Sequence, residues 1–397
     1  MPPNPSALTE ARAAGFGAAL IAVGPVALTL YTPALPLMEE ALSAPQAQIQ
    51  LTIIVFFVGF TLAQLAYGPL SDAFGRRKIS LIAIALYTFA SLFALLANDI
   101  GTLIAARLFQ GFGAAVGTVI SRAIVRDRFE GLATHRILNL MALILGIGPA
   151  ISPFVGGLIV DSVGWRHVFS FMTFYGIALL CAMWLFLPET NDNRAPARAR
   201  PRTILRQYHI ILFDPRFLLP TLTGTLILST FFAVSTVLPY VLINQVGLTS
   251  TGFGLSLLLQ PACFTLGTII SGRVMHVMPL SRLLPFAMAL LAITAISMPI
   301  IVLAFGPGIA TVLGPLCVIA FASALVMPVF WSAPLTHFGH AAGTAASLFG
   351  FLQYGCGLIG SSIAALFPDP TIGAAIVPSV MILTSVFVFT FWRKHPA

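Results

Sequence analysis

Apolar runs of about twenty residues, the length that crosses a bilayer, follow one another along this chain and set the narrowest limit on its fold. They fall at roughly 13–35, 49–69, 79–98, 102–124, 137–160, 167–188, 217–241, 252–272, 283–304, 309–331, 342–367 and 372–392. Twelve such runs use most of the 397 residues and leave no room for a separate globular domain. Charged residues make up only 8% of the chain, against about 25% in a soluble domain. The period-2 alternation of a membrane barrel is absent. Continuous runs read as helices, which satisfy every backbone polar group within the segment.

The net charge of +8 is a topology signal and not a nucleic-acid footprint. Under this span order Arg12, Arg76, Arg77, Lys78, Arg122, Arg126, Arg128 and Arg136 fall on one side of the membrane. So do Arg194, Arg198, Arg200, Arg202, Arg206, Arg216, Arg273, Arg282, Arg393 and Lys394, which makes 18 of the 20 basic residues. Arg166 falls opposite and Arg107 lies inside a span. Short loops rich in Lys and Arg stay cytoplasmic. Both termini are therefore expected inside the cell, in a multi-pass protein of the inner (plasma) membrane.

The longest polar segment, 189–215, divides the chain into 1–188 and 216–397, each with six runs. Its composition suits a basic linker with a short amphipathic helix near 204–213. Cys181, Cys263, Cys317 and Cys356 lie in apolar runs without metal spacing and read as small core residues. No Gly-Lys-Ser/Thr phosphate loop and no mid-membrane nucleophile–base cluster is visible. An enzyme, a metal site and a cofactor are not expected.

Three motifs carry the chemistry. The hairpin Gly68-Pro69-Leu70-Ser71-Asp72-Ala73-Phe74-Gly75-Arg76-Arg77-Lys78 places a charged turn at the membrane surface between two runs. Gly68 removes a side chain where a neighbouring helix presses close, Gly75 permits the turn, and Asp72 suits a helix N-terminus or an arginine. Run four reads Arg107-Leu108-Phe109-Gln110-Gly111-Phe112-Gly113, with Gly113 and Gly117 as a small-residue packing face. Arg107, Gln110, Gly111, Ala114 and Thr118 fall on one stripe. An arginine costs a few kcal/mol in lipid, so Arg107 is expected to face a cavity or a partner. Run five holds Gly146, Gly148, Pro149, Pro153, Gly156 and Gly157. Most of these share a face about 100° wide, which implies a bent helix with a flat side.

The hairpin resembles the signature loop between helices two and three of the major facilitator superfamily of secondary transporters. Arg107-x-x-Gln110-Gly111 and the run-five pattern are similar to motifs of its drug:proton antiporter branch. Tyr31-Thr32-Pro33, Ile49-Gln50-Leu51-Thr52, Val163-Gly164-Trp165-Arg166 and Gly343-Thr344-Ala345-Ala346 resemble bicyclomycin/chloramphenicol-type exporters. The resemblance implies twelve transmembrane helices in two pseudo-symmetric six-helix bundles with a site between them. It also implies that the hairpin is a conformational latch, with Gly68, Asp72, Gly75, Arg76 and Arg77 joined by Asp127 near the end of run four.

A secondary active multidrug or small-molecule exporter working by alternating access is the expected function. An exporter of a specific metabolite or siderophore with an anionic group, recognised by Arg107, or a non-transporting sensor on the same scaffold, is the alternative. Candidate cavity residues are Tyr31, Phe57, Gln64, Arg107, Gln110, Gln260, Gln353 and Tyr354. One departure from the family bears on coupling. The aspartate usual before the run-one tyrosine is replaced here by Thr29-Leu30. The proton-coupling candidates are therefore the peripheral acids Glu39, Glu40 and Asp127. Arg107 is expected to supply a positive field that favours neutral or anionic amphipathic substrates over cations. The expected partners are such substrates, protons and the lipid bilayer, with the protein a monomer.

Overall fold

The computed structural model describes residues 9–129, 131–191, 201–336, 338 and 342–394. Arg194, Arg198 and Arg200 of the charge asymmetry lie outside the described residues. The first run forms α1 (Glu10–Thr29), a 3-10 turn (Thr32–Ala34) and α2 (Leu35–Ala41). There follow α3 (Gln46–Phe74), α4 (Arg76–Leu95), the pair α5 (Ile100–Ala114) and α6 (Val116–Arg128), α7 (Gly131–Val163) and α8 (Arg166–Phe186). The linker contains α9 (Pro201–Leu212). Beyond it come α10 (Pro215–Val234), a π-helical turn (Tyr240–Gln245), α11 (Ser250–Leu257), α12 (Leu259–Val274), α13 (Leu280–Phe305), α14 (Ile309–Thr336), α15 (Ala342–Ala365) and α16 (Pro370–Lys394).

Among the described residues, 11 helical units are long and apolar enough to cross a membrane. The fifth in order, α7, has 33 residues, of which Ile151–Val163 forms a shorter apolar helix. Local chemistry starts the spans. Asp99 accepts from Thr102 N at 2.8 Å at the head of α5, and Asp214 accepts from Arg216 N at 2.8 Å at the head of α10. Thr249 accepts from Gly252 N at 3.0 Å at the head of α11. Each satisfies a backbone donor that the first helical turn leaves free. Gly75 ends α3 with φ 103°, a conformation that disfavours any side chain and lets the hairpin turn.

The buried apolar core separates along the sequence. One cluster draws on Phe16 through Leu187, with Tyr240 as its one buried residue from beyond the linker. A second draws on Ile227 through Phe389. A third, around Tyr208, Phe217, Phe338 and Leu348, seats the linker helix α9 against α10 and α15. Burial pushes the Tyr208 hydroxyl up to about 12, so it stays protonated and donates to the Leu65 carbonyl at 3.0 Å.

Gly117 is where α6 and α1 approach most closely, since a Cβ there would collide with the Leu20 carbonyl oxygen. By contrast nothing lies within 4 Å of a Cβ at Gly148 in α7. Gly117→Ala is therefore expected to lower stability by about 1–3 kcal/mol, the usual cost of overpacking a tight contact. Gly148→Ala is expected to be neutral or slightly stabilising, because alanine is the better helix former. Thermal unfolding of the two variants in detergent checks the difference in sign.

Candidate functional site

A cavity of about 1590 Å³ lies between the helices of the two halves. Its wall runs from Phe57, Phe60, Gln260 and Tyr354 to Asp72, Arg76, Arg126, Asp127 and Gln207 at the end that carries the basic residues. The inner part is aromatic. The Tyr354 ring lies 4.5 Å from Phe60 and 5.3 Å from Phe232, and Phe232 lies 5.5 Å from Phe57. This cluster joins α3, α10 and α15, so it belongs to both halves. Amides punctuate the wall. Gln64 donates to Thr118 Oγ1 at 2.6 Å, whereas the buried Nε2 of Gln260 has no hydrogen-bond partner among the described residues. Gln353 also lines the space, and its carbonyl accepts from Ser229 at 2.7 Å.

Three residues expected on the wall are elsewhere. Tyr31, Arg107 and Gln110 are fully buried among α1, α3, α4 and α5 and are not part of the cavity lining. The Arg107 guanidinium carbon sits 4.0 Å from the Tyr31 ring centroid and 4.3 Å from that of Phe56. Its Nη1 donates to the Ala27 carbonyl at 3.1 Å and to Gln110 Oε1, and Gln110 in turn donates to Ser91 Oγ at 2.7 Å. Nε and Nη2 have no acceptor among the described residues, so the two ring faces take that role. Desolvated cation–π contacts of about 2 kcal/mol each and charged hydrogen bonds of about 1.5–3 kcal/mol are large enough to offset several kcal/mol of lost hydration. Arg107 is thus a hub joining spans one, two, three and four. Its positive charge sits one side chain behind the cavity wall, which Phe56 lines.

At the basic end Arg76 clasps both acids of the hairpin motif. Its Nη1 lies 2.5 Å from Asp72 Oδ1 and its Nε 3.0 Å from Asp127 Oδ2. Arg77 instead donates to the Trp184 carbonyl at 2.7 Å. Glu189 completes the arrangement, accepting from the backbone N of Arg76 at 2.9 Å, Thr190 at 3.0 Å and Asn191 at 3.0 Å. A carboxylate from beyond α8 therefore caps α4, whose own N-cap, Gly75, has no side chain to offer. Gly68 faces α15, where a Cβ would meet Ser347 Oγ at 3.1 Å.

The opposite end is closed by contact between the halves. Gly157 of α7 abuts the Ser250 carbonyl and Gly254 of α11 abuts the backbone of Pro153 and Phe154, each so closely that a Cβ would collide. Gly156 meets Leu30 in the same way, and Pro149 reaches the cavity wall. Gly146 lies within α7, and its surroundings are outside the described ones. Asp161 accepts from Thr251 N at 2.8 Å and so caps α11 from across the gap. Glu39, one of the peripheral acids, faces the Tyr240 hydroxyl at this closed end without a well-formed hydrogen bond. Glu40 is exposed beside it.

Sequence reading had missed Glu189, Asp161 and Arg122. The first two act through contacts 113 and 90 residues away, which no local pattern announces. Arg122 was counted for topology alone, although it continues the run-four stripe one turn beyond Thr118 and lies on the cavity wall. Cysteines at positions 64, 353 and 354 are expected to react with a small hydrophilic thiol reagent admitted from the basic end. Those at 107 and 110 are expected to stay protected. Labelling of a cysteine at 107 as fast as at 353 would show that the hub opens to the cavity.

Residues 17–361 match the family model of the Major Facilitator Superfamily. A Bacillus subtilis (strain 168) protein named Uncharacterized MFS-type transporter YdgK is 30% identical over 385 residues, 96% of this chain and 95% of its own length. Multidrug resistance protein D of Escherichia coli (strain K12) is 29% identical over 381 residues, 94% of this chain and 93% of its own. That likeness reaches well beyond the first six spans. A solved structure of a D-xylose-proton symporter superposes with a TM-score of 0.66 at 16% identity, covering 96% of this chain and 95% of that one, and bears on the fold alone. With apolar helices throughout, a cavity between two halves and a family match over most of its length, the chain belongs to the Major Facilitator Superfamily and is a multi-pass membrane transporter, not an enzyme.

Proposed function

We propose that this transporter exports small hydrophobic or amphipathic compounds by alternating access, with protons as the counter-ion, in the manner that the name of its Escherichia coli relative suggests. The observation that carries the reading is the cavity itself. It is large, aromatic at its inner part, open at the basic end and closed at the other by the α7–α11 contact. A single specific polar site would need a dense set of directed donors and acceptors. A wide aromatic wall with a few amides suits varied apolar bodies.

In this reading the chain has a unit 1–188, a linker 189–215 and a unit 216–397, with α7 as the fifth span bringing the total to twelve. It works as a monomer with both termini in the cytoplasm of a cell whose inner membrane holds it. The basic end is then cytoplasmic, and the structure is the inward-open state. The Phe57, Gln64, Gln260, Gln353 and Tyr354 side chains meet the substrate. Gly68, Asp72, Gly75, Arg76, Arg77 and Asp127 form the latch at the cytoplasmic end, and Gly148, Pro149, Pro153, Gly156 and Gly157 shape the antiporter helix. Glu39 is the leading proton carrier, because its carboxyl lies between the halves at the end that must open outward. Asp127 is the second, through its clasp with Arg76.

Proteoliposomes with an imposed pH gradient test the coupling. Wild-type efflux of a neutral amphipathic compound is expected to rise with the gradient, and Glu39→Gln/Glu40→Gln is expected to lose most of that rise while uncoupled flux persists. Gradient dependence that survives both this double change and Asp127→Asn would exclude the carriers named here. The latch has its own test in cells. Asp72→Asn is expected to reduce export about tenfold or more at normal protein levels. The exchange Arg76→Asp with Asp127→Arg is expected to export better than either single change. Normal export by Asp72→Asn would reduce the hairpin to a topology anchor.

A further inference from the structure

We propose that Arg122 recognises an anionic group on the substrate, while the aromatic cluster of Phe57, Phe60, Phe232 and Tyr354 takes its apolar body. The inference rests on the export reading above and deepens it by naming a substrate class: an oxyanion head, carboxylate or sulfonate, on an aromatic or aliphatic body.

Charge inventory on the wall comes first. Among the described residues five charged side chains line the cavity, three basic (Arg76, Arg122, Arg126) and two acidic (Asp72, Asp127). Arg76 holds both acids, and Asp127 also takes a contact from Thr190 Oγ1 at 3.4 Å. Arg126 sits at the mouth, its Nε 3.4 Å from the Arg122 carbonyl. The guanidinium of Arg122 makes no ion pair and no hydrogen bond among the described residues. It is exposed to the cavity, and its electrostatic neighbours are Tyr354 and Arg126. Arg122 precedes the end of α6 at Arg128 by six residues, roughly 9 Å at 1.5 Å per residue. It thus stands between the mouth and the rings.

The physical argument turns on what happens when the cavity closes. In the open state water solvates Arg122. Alternating access shuts the cavity at this end and removes much of that water. An unpaired arginine in a membrane interior is costly even on a lenient scale, so closure without a counter-ion is penalised. No acid among the described wall residues is free to supply one. An anionic substrate supplies it, and the flat guanidinium fork is shaped to hold two oxygens of such a group side by side. Closure then favours the loaded carrier over the empty one when the cargo carries that charge. Arg122 as a mere topology anchor accounts for none of this, because Arg126 and Arg128 already mark the membrane surface one turn and more beyond it.

Binding of naphthalene-acetate and of its methyl ester to the purified full-length protein tests the proposal, read by calorimetry in detergent. The two probes share the ring system and differ in charge. Wild type is expected to bind the acid more tightly than the ester. Arg122→Gln is expected to lower the acid-to-ester affinity ratio about tenfold, and Arg122→Lys to lower it less, since the charge remains and the fork is lost. Arg126→Gln removes the same charge nearer bulk water, where screening acts within about 8 Å, and is expected to change the ratio no more than about twofold. Ester binding reports that each variant is folded. An unchanged ratio in Arg122→Gln, or an equal fall in Arg126→Gln, would overturn the assignment and leave the export reading standing. Failure of wild type to bind either compound would overturn both.

Discussion

Within hydrocarbon, apolar side chains gain little by meeting one another, because lipid is as apolar as they are. Helices of this chain are therefore held by close backbone approach and by a small number of polar contacts, and the arrangement of those contacts determines the rest. On α5 and α6, Gly111, Gly113 and Gly117 bring that span against α3, α4 and α1 respectively. One helix thus touches three others at backbone distance. Arg107 lies among the same helices and ties the Ala27 carbonyl, the Tyr31 and Phe56 rings and Gln110 together.

The spans were legible because membrane helices need a length and a composition that few other structures share. The hairpin was legible because its glycine and its charges serve local geometry. Arg76 does bridge Asp72 and Asp127, two partners that spacing and the family pattern both suggest. The cavity wall was less so. A helical stripe says which residues share a face, but not which neighbour that face meets. The stripe through Arg107, Gln110 and Gly111 is covered at its far end by α3, with Gly111 against the Phe56 carbonyl. It emerges into the cavity only at Thr118 and Arg122, beyond the break between α5 and α6 at Ala115. The structure buries Arg107 among α1, α3, α4 and α5 and leaves Arg122, farther along the same run, on the cavity wall. Nothing local could have shown this, since both arginines lie on the same stripe of one run.

Glu189 and Asp161 share a second kind of illegibility. Each is a carboxylate at the end of a span, where acids are common and carry no motif. Each caps a helix that its own sequence neighbourhood does not contain: α4 for Glu189 and α11 for Asp161. The reason lies in the helices that receive them. α4 begins at Gly75, which has no capping side chain, and α11 begins at Thr249, whose hydroxyl serves Gly252 and leaves Thr251 N unmet. An unmet donor at a helix start is a demand, and only the fold shows which distant group answers it.

The two ends of the transporter are held by different means, and the difference explains which one is open here. At the basic end the Arg76 clasp is made within the first half of the chain, so it rigidifies that half without tying it to the other. At the opposite end the contacts cross the gap: Asp161 to Thr251 N at 2.8 Å, Gln50 to the Thr236 carbonyl at 3.5 Å, and the glycine contacts of α7 and α11. A carboxylate at a helix N-terminus contributes about 0.3–1 kcal/mol when exposed, as Asp161 is, and several such small terms add up to a preference rather than a lock. Reversal of the state exchanges these terms for others at the basic end, where Gly68 already faces Ser347 of α15 and Asp72 lines the gap. The balance between states is then a difference of a few weak contacts at each end. On the coupling proposed above, a proton on a peripheral carboxylate such as Glu39 needs to shift only that small difference, so a deeply buried acid is not a physical requirement for it.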